Sequence, residues 1–221
     1  MPVNIHDTSD TALSQRHLYS NSYLTRIYWN MKDRVVLSLI PKEAKNILDI
    51  GCGEGISLQH FANAFPNASV IGVDYLNENV AICQQYKLSC LKGDVYNLDF
   101  QDKSIDAVIF MEVIEHLDYP GKAIREIFRI LKPSGILVIG FPNDLFFLLA
   151  RIFLLKFKEA RYDPGHVKQW TPQAMKKTLE EHGFTNIITK CLPIGLWPVS
   201  LHCIIVAKKI ISYIPESNSG K

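Results

Sequence analysis

The stretch Ile47–Gly55, ILDIGCGEG, constrains this chain more than any other. Ile47-Leu48-Asp49-Ile50 suits a short buried parallel strand, whose side chains are apolar on both faces. The strand breaks into glycines at alternate positions, Gly51, Gly53 and Gly55. Glycine allows a sharp turn and lets a ligand approach without a Cβ in the way. The following Ser57-Leu58-Gln59-His60-Phe61-Ala62 reads as a helix. Strand, glycine turn and helix together predict a nucleotide-type crevice at the carboxyl end of a parallel strand.

The glycine spacing narrows the ligand. A dinucleotide fingerprint needs a third glycine five residues after its first, beside the pyrophosphate. Ile56 occupies that position here, and the pattern is G-x-G-x-G. That argues against a pyrophosphate cradle and against an NAD-dependent oxidoreductase.

The flanking chain alternates strand and helix signals. Leu18, Tyr19, Tyr23, Ile27, Tyr28, Met31, Val35 and Leu39 recur at threes and fours, and Pro41 ends the run, which predicts two helices before the sheet. Tyr19 and Tyr23 are expected to serve mainly as packing. Ala68–Val73 is the second strand, with Asp74 at its tip. An acid about 20 residues after the glycine turn is placed to grip ribose, and a carboxylate can accept from both hydroxyls. The alternative for Asp74 is a cap on the helix Asn77–Tyr86. Ser89–Lys92 is a third strand, followed by Gly93-Asp94-Val95. Ser104–Phe110 is the fourth and runs into Met111-Glu112-Val113-Ile114-Glu115-His116-Leu117. Pro120–Leu131 is amphipathic, Ile136–Phe141 is the fifth strand, and Thr171 with Pro172 starts a helix that stops at Gly183. Phe184–Lys190 and His202–Ala207 are the last two strands.

With Asp74, Asp94 and the D-A-V-I-F-M-E-V-I-E-H-L run at fixed distances after it, the glycine turn resembles the first motif of the class I S-adenosylmethionine-dependent methyltransferases. The resemblance covers roughly Asn46 to Phe184 and lies nearest the ubiquinone-pathway O-methyltransferases and the small-molecule branch. It implies a Rossmann-like α/β fold, doubly wound, with a seven-stranded, mostly parallel sheet whose last strand is antiparallel. It implies S-adenosylmethionine as cofactor, held by Asp49, Gly51, Cys52, Gly53, Asp74, Tyr75, Asp94, Val95, Met111 and Glu112. Asp94 would accept from the adenine amine and Val95 would pack by the ring. The expected layout is a helical cap over residues 1–45 and a methyltransferase domain over 46–210, with a lid or substrate insertion at 142–171. Residues 211–221 form a flexible tail.

A hydroxyl acceptor needs a base, and His116 and His166 are the candidates because histidine titrates near neutrality. If Glu112–His116 forms one helical turn, Glu112, Glu115 and His116 share a face. E-x-x-E-H, with His166, then resembles a divalent-metal site of quinone-pathway and small-RNA 3′-end methyltransferases. The metal-free reading is preferred, with His166 expected to touch the substrate because it sits on a loop.

Composition sets the remaining bounds. The 221 residues suffice for one domain with a cap, and a net charge of +2 gives no reason to expect an obligatory nucleic-acid partner. Five cysteines without a CxxC pair read as buried reduced thiols in a cytoplasmic protein. The N-terminus MPVNIHDTSD lacks a signal-peptide core. Asp144–Lys158, DLFFLLARIFLLKFK, is apolar nearly all round but too short for the about 20 residues a bilayer span takes. It reads as a lid, a core helix or a peripheral membrane contact. The predicted activity is methyl transfer to a small, apolar, quinone- or lipid-like acceptor at oxygen. The alternatives are a metal-assisted RNA 3′-end or diol methyltransferase and a non-catalytic cofactor-binding subunit. The sequence leaves the oligomeric state open.

Overall fold

The computed structural model describes residues 14–143, 146 and 167–210. Helices α1 (Gln15–Asn21) and α2 (Tyr23–Leu39) lead into β1 (Asn46–Ile50), α3 (Ile56–Ala64), β2 (Ser69–Asp74) and α4 (Asn77–Gln85). Then come β3 (Cys90–Lys92), β4 (Ile105–Met111), α5 (Pro120–Ile130), β5 (Leu131–Pro142), α6 (Pro172–Glu181), β6 (Phe184–Leu192) and β7 (His202–Lys209). The strands form one sheet in the order β3-β2-β1-β4-β5-β7-β6. All neighbours pair in parallel except β7, which is antiparallel to both β5 and β6. This is the Rossmann-like sheet with an antiparallel last strand that the sequence implies.

The continuous apolar strands are buried on both faces, and period-two alternation sorts their side chains. Leu48, Ile50, Val108, Phe110, Leu137 and Ile139 pack with Ile124 and Ile127 of α5 and with Met175 and Leu179 of α6. Ile47, Ala107, Ile109, Ile136 and Val138 pack on the other face with Val36 of α2 and with Leu58 and Phe61 of α3. Each of these side chains larger than alanine contributes about 1.5–3 kcal/mol of burial.

Three expectations change. The first is the fifth strand. It begins at Leu131 because Leu131 pairs with Ile105 before the chain bulges through Lys132–Gly135 and resumes at Ile136↔Ala107. Ser134 takes a left-handed φ of 63° at this bulge, and Lys132 Nζ pairs with Asp106 Oδ1 at 2.7 Å. The second is the packing of α2. Its buried side chains are Lys32, Asp33 and Val36, while Tyr23 and Leu24 are 68% and 77% exposed. The third concerns Glu112–His116, which is not one α-turn. Glu112 has φ 56°, and only Ile114–His116 forms a short 3₁₀ turn. The residues of the predicted tail, most of the predicted lid (144, 145 and 147–166) and with them His166 lie outside the described residues. No helix among the described residues is long and apolar enough to cross a membrane.

Candidate functional site

The carboxyl edge of the parallel strands gathers the site. After β1 the chain turns sharply, and the Gly51 and Cys52 amides donate to the Val73 carbonyl at 2.7 and 3.2 Å. Gly51 has φ 73°, and a Cβ there would stand 2.2 Å from Val113 Cγ2, so no other residue fits this turn without displacing its neighbour.

Asp74 ends β2 and ties the turn down. Its Oδ2 accepts from the Gly53 amide at 2.8 Å, and Oδ1 accepts from the Leu76 amide and Asn79 Nδ2, both at 3.0 Å. The carboxylate thus closes its own turn and holds the glycine turn. Its two oxygens retain acceptor capacity for ribose hydroxyls. It does not cap α4 as an N-cap side chain, since Leu76 holds that position.

Two cavities flank Gly51. One, of about 110 Å³, is walled by Tyr75, Asp94, Val95, Tyr96, Val113, His116 and Leu117. Asp94 is fixed there by the Tyr96 amide, which donates to Oδ1 at 2.9 Å. Its mostly apolar walls with one carboxylate suit a purine. His116 belongs to this wall. The other cavity, of about 70 Å³, is lined by Asp49, Cys52, Met111 and Glu112 together with Gln15, Trp29 and Lys32 of the N-terminal helices. Of the ten cofactor-site residues expected from the sequence, eight line one cavity or the other; Gly53 and Asp74 line neither and are joined to each other by the amide–carboxylate bond of the turn. Glycine at 51 is the shared wall.

Asp49 faces α2 and α3 from within β1. Burial, then the Asp33 and Asp74 carboxylates, push its pKa up to about 8. Glu112 lies opposite. Burial opposes its ionisation, but Lys32 and His202 outweigh that and hold its pKa down to about 2. Lys32 Nζ is ion-paired to Glu112 Oε1, and His202 Nε2 lies 3.3 Å from the same oxygen. Tyr28 Oη meets His202 Nδ1 at 2.5 Å. Burial and then Glu112 raise the Tyr28 pKa, so the phenol stays protonated. Sequence reading missed Lys32 and His202 as site residues and saw Tyr28 only as packing. Lys32 reads as a solvated helix residue, and His202 lies in an apolar strand.

The grouping of Glu112, Glu115, His116 and His166 around a metal does not form among the described residues. Glu112 is drawn to Lys32, Glu115 is buried in the 3₁₀ turn, and His116 stands by the purine-side cavity. The one group of three or more metal-ligating side chains there is Cys52, Cys83 and Cys90.

Helix α1 is latched onto the glycine turn through Glu54. Its carboxylate accepts from Ser14 Oγ at 2.7 Å and from the Gln15 and Arg16 amides at 2.9 and 2.8 Å. A carboxylate at a helix N-terminus meets unsatisfied amides and the positive end of the dipole. Glu54→Ala is expected to remove about 1–3 kcal/mol of local stability. Amide exchange in Gln15–Asn21 should rise tenfold or more while that of β1 and β4 holds, as mass spectrometry would read. Unchanged exchange would mean that α1 is held by other contacts.

Comparison with known proteins agrees with this geometry. Residues 48–139 match the methyltransferase domain family. A probable S-adenosylmethionine-dependent methyltransferase of Mycolicibacterium smegmatis is 29% identical over 71% of this chain and 59% of its own length. A mitochondrial ubiquinone biosynthesis O-methyltransferase of Dictyostelium discoideum is 27% identical over 66% of this chain and 50% of its own. The chain thus spans between half and three fifths of the length of these two relatives. A crystal structure of a SAM dependent methyltransferase from Archaeoglobus fulgidus has the same fold, with a TM-score of 0.64 and 21% identity, over 85% of this chain and all of that one. Over residues 48–139 the chain is thus similar to the methyltransferase domain, and the relatives that it matches include S-adenosylmethionine-dependent methyltransferases.

Proposed function

We propose that this protein moves a methyl group from S-adenosylmethionine to the oxygen of a small apolar acceptor. The carrying observation is the paired cavity around Gly51, with Asp94 and Val95 on one side and Asp49 with Glu112 on the other. Asp94 would meet the adenine amine, Asp74 the ribose, and Asp49 the ammonium of the methionine end. The bound cofactor supplies the activated methyl; the chain's own task is to bind, align and exclude water. Oxygen is the proposed target because of the side chains present, since the matched relatives are named for O-, N- and C-methylation alike.

A hydroxyl acceptor must lose its proton, and Tyr28, His202 and Glu112 form a relay suited to that. With Glu112 ionised beside Nε2, the imidazole carries its proton on Nε2 and accepts from Tyr28 at Nδ1. Tyr28 Oη can then take the acceptor's proton as it passes its own to His202, and Glu112 stabilises the resulting imidazolium. This replaces His116 in the role of base; His166, outside the described residues, remains a second candidate for touching the acceptor.

Two measurements test the reading. Calorimetric titration should show saturable heat with S-adenosylmethionine or its demethylated product and none with NAD; the reverse would return the protein to the oxidoreductases. His202→Ala should lower turnover on a hydroxyl acceptor by about 10²–10⁴-fold at unchanged cofactor affinity. His116→Ala should instead weaken cofactor binding. Full turnover in His202→Ala would leave alignment as the whole of catalysis.

A further inference from the structure

Cys52, Cys83 and Cys90 are far apart in sequence, yet their sulfur atoms all lie within 4.8 Å of one another. Cys52 sits in the glycine turn, Cys83 on α4 and Cys90 on β3, and all three are buried. Cys52 Sγ is 3.4 Å from Cys90 Sγ. The Gly53 carbonyl oxygen stands 3.4 Å from Cys83 Sγ and 3.8 Å from Cys52 Sγ. We propose that these three sulfurs and the Gly53 carbonyl form a site for one zinc ion behind the cofactor turn, which meets the smaller cavity only at Cys52.

The spacing fits that ion. A tetrahedral zinc with sulfur at about 2.3 Å and oxygen at about 2.1 Å places neighbouring sulfurs about 3.8 Å apart and sulfur and oxygen about 3.6 Å apart. The two sulfur–oxygen separations, 3.4 and 3.8 Å, bracket the tetrahedral value, and the Cys52–Cys90 separation of 3.4 Å lies a little below the sulfur–sulfur one. Soft thiolates select zinc over magnesium or calcium.

A second, independent observation concerns charge. Arg16 Nη2 is buried and has no hydrogen-bond partner among the described residues, although the guanidinium lies 3.5 Å over the Tyr86 ring and its Nε donates to the Glu54 carbonyl at 2.8 Å. Arg16 Nη2 and Cys83 Sγ share one neighbourhood: they lie 3.7 and 2.7 Å from the point that a Cβ on Gly55 would occupy. A buried cationic nitrogen without a partner is costly unless an anion faces it. Three thiolates around a dication leave one negative charge, which Arg16 offsets. On binding, each thiol loses its proton to solvent, and nothing is oxidised or reduced. The ion would clamp the turn after β1 to α4 and β3, and its burial means that it is taken up as the chain folds.

The test uses the whole protein, isolated under reducing conditions without chelator or metal-affinity steps, and, should it emerge metal-free, refolded with zinc sulfate. Elemental analysis is expected to find one zinc per chain, and absorption spectroscopy at the zinc edge should show three sulfur neighbours and one oxygen. Cys83→Ser should abolish uptake, while a Cys191→Ser/Cys203→Ser double variant should keep it. The wild-type spectrum decides the matter even if Cys83→Ser fails to fold. Wild-type protein that takes up no zinc, a shell without the three sulfurs, zinc retained in Cys83→Ser, or a Cys52–Cys90 disulfide in zinc-free protein would each overturn the proposal.

Discussion

Asp74→Ala should weaken binding of S-adenosylmethionine by about 1–3 kcal/mol, up to roughly a hundredfold in Kd. Two losses combine. The ribose hydroxyls lose a charged acceptor, and the Gly53 amide loses the carboxylate that fixes it at 2.8 Å. Asn79→Ala separates the two roles: it removes one donor to Asp74 Oδ1 while leaving Asp74 itself in place. Titration calorimetry on both variants should show a large loss for Asp74→Ala and a small one for Asn79→Ala. Equal and small losses would reduce Asp74 to a local turn former.

The second large effect is a pH dependence carried by Asp49. Its pKa, about 8 in the folded protein, lies far above its value in an unfolded chain. A raised acid pKa means that the folded state holds a proton the unfolded state has already lost. Its contribution is therefore complete below the unfolded pKa of about 4 and declines as pH rises toward 8, at up to about 1.4 kcal/mol per pH unit. Asp49→Asn should flatten that slope and raise Tm at pH 7.5 in ligand-free protein, as calorimetric scans across pH 5–8 would show. The same variant should bind cofactor more weakly, because an ammonium group would ionise Asp49 and the amide cannot reply. Binding to the wild type at pH 7 should release a proton, visible as a dependence of the binding heat on the buffer's ionisation enthalpy. An unchanged slope in Asp49→Asn would show that Asp49 is ionised in the free protein.

The parallel sheet and the acids at its edge were legible because each depends on local pattern. β1 is a run of apolar residues ended by glycine, and Asp74 and Asp94 follow strands at spacings that the fold itself imposes. What escaped depends on distance along the chain. Tyr28 and His202 are 174 residues apart, and Lys32 and Glu112 are 80 apart, so neither pair leaves a periodic trace. The Glu112–His116 reading failed for another reason. Spacing by threes and fours brings side chains together only on a helix, and here the Glu112 amide is drawn to the Gly140 carbonyl at 2.9 Å, prolonging the β4 edge. The cysteines were counted correctly, but their convergence arises from the packing of α4 and β3 against the turn, which counting cannot show.

The Glu54 latch makes the N-terminal segment and the ligand two occupants of one equilibrium. Glu54 is part of the turn, Gln15 of α1 lines the smaller cavity, and neither cavity approaches the about 300 Å³ of an ordinary ligand site. Ligand binding has to rearrange this closed edge, and α1 is a short element whose first residues are held there mainly by Glu54, through its carboxylate and its carbonyl. Whatever factor by which occupancy tightens or loosens α1 is, by thermodynamic reciprocity, the factor by which α1 changes the affinity for the ligand. Sequence changes along α1, even at positions that line neither cavity, would then reset how long the demethylated product stays bound, and with it the pace of each cycle.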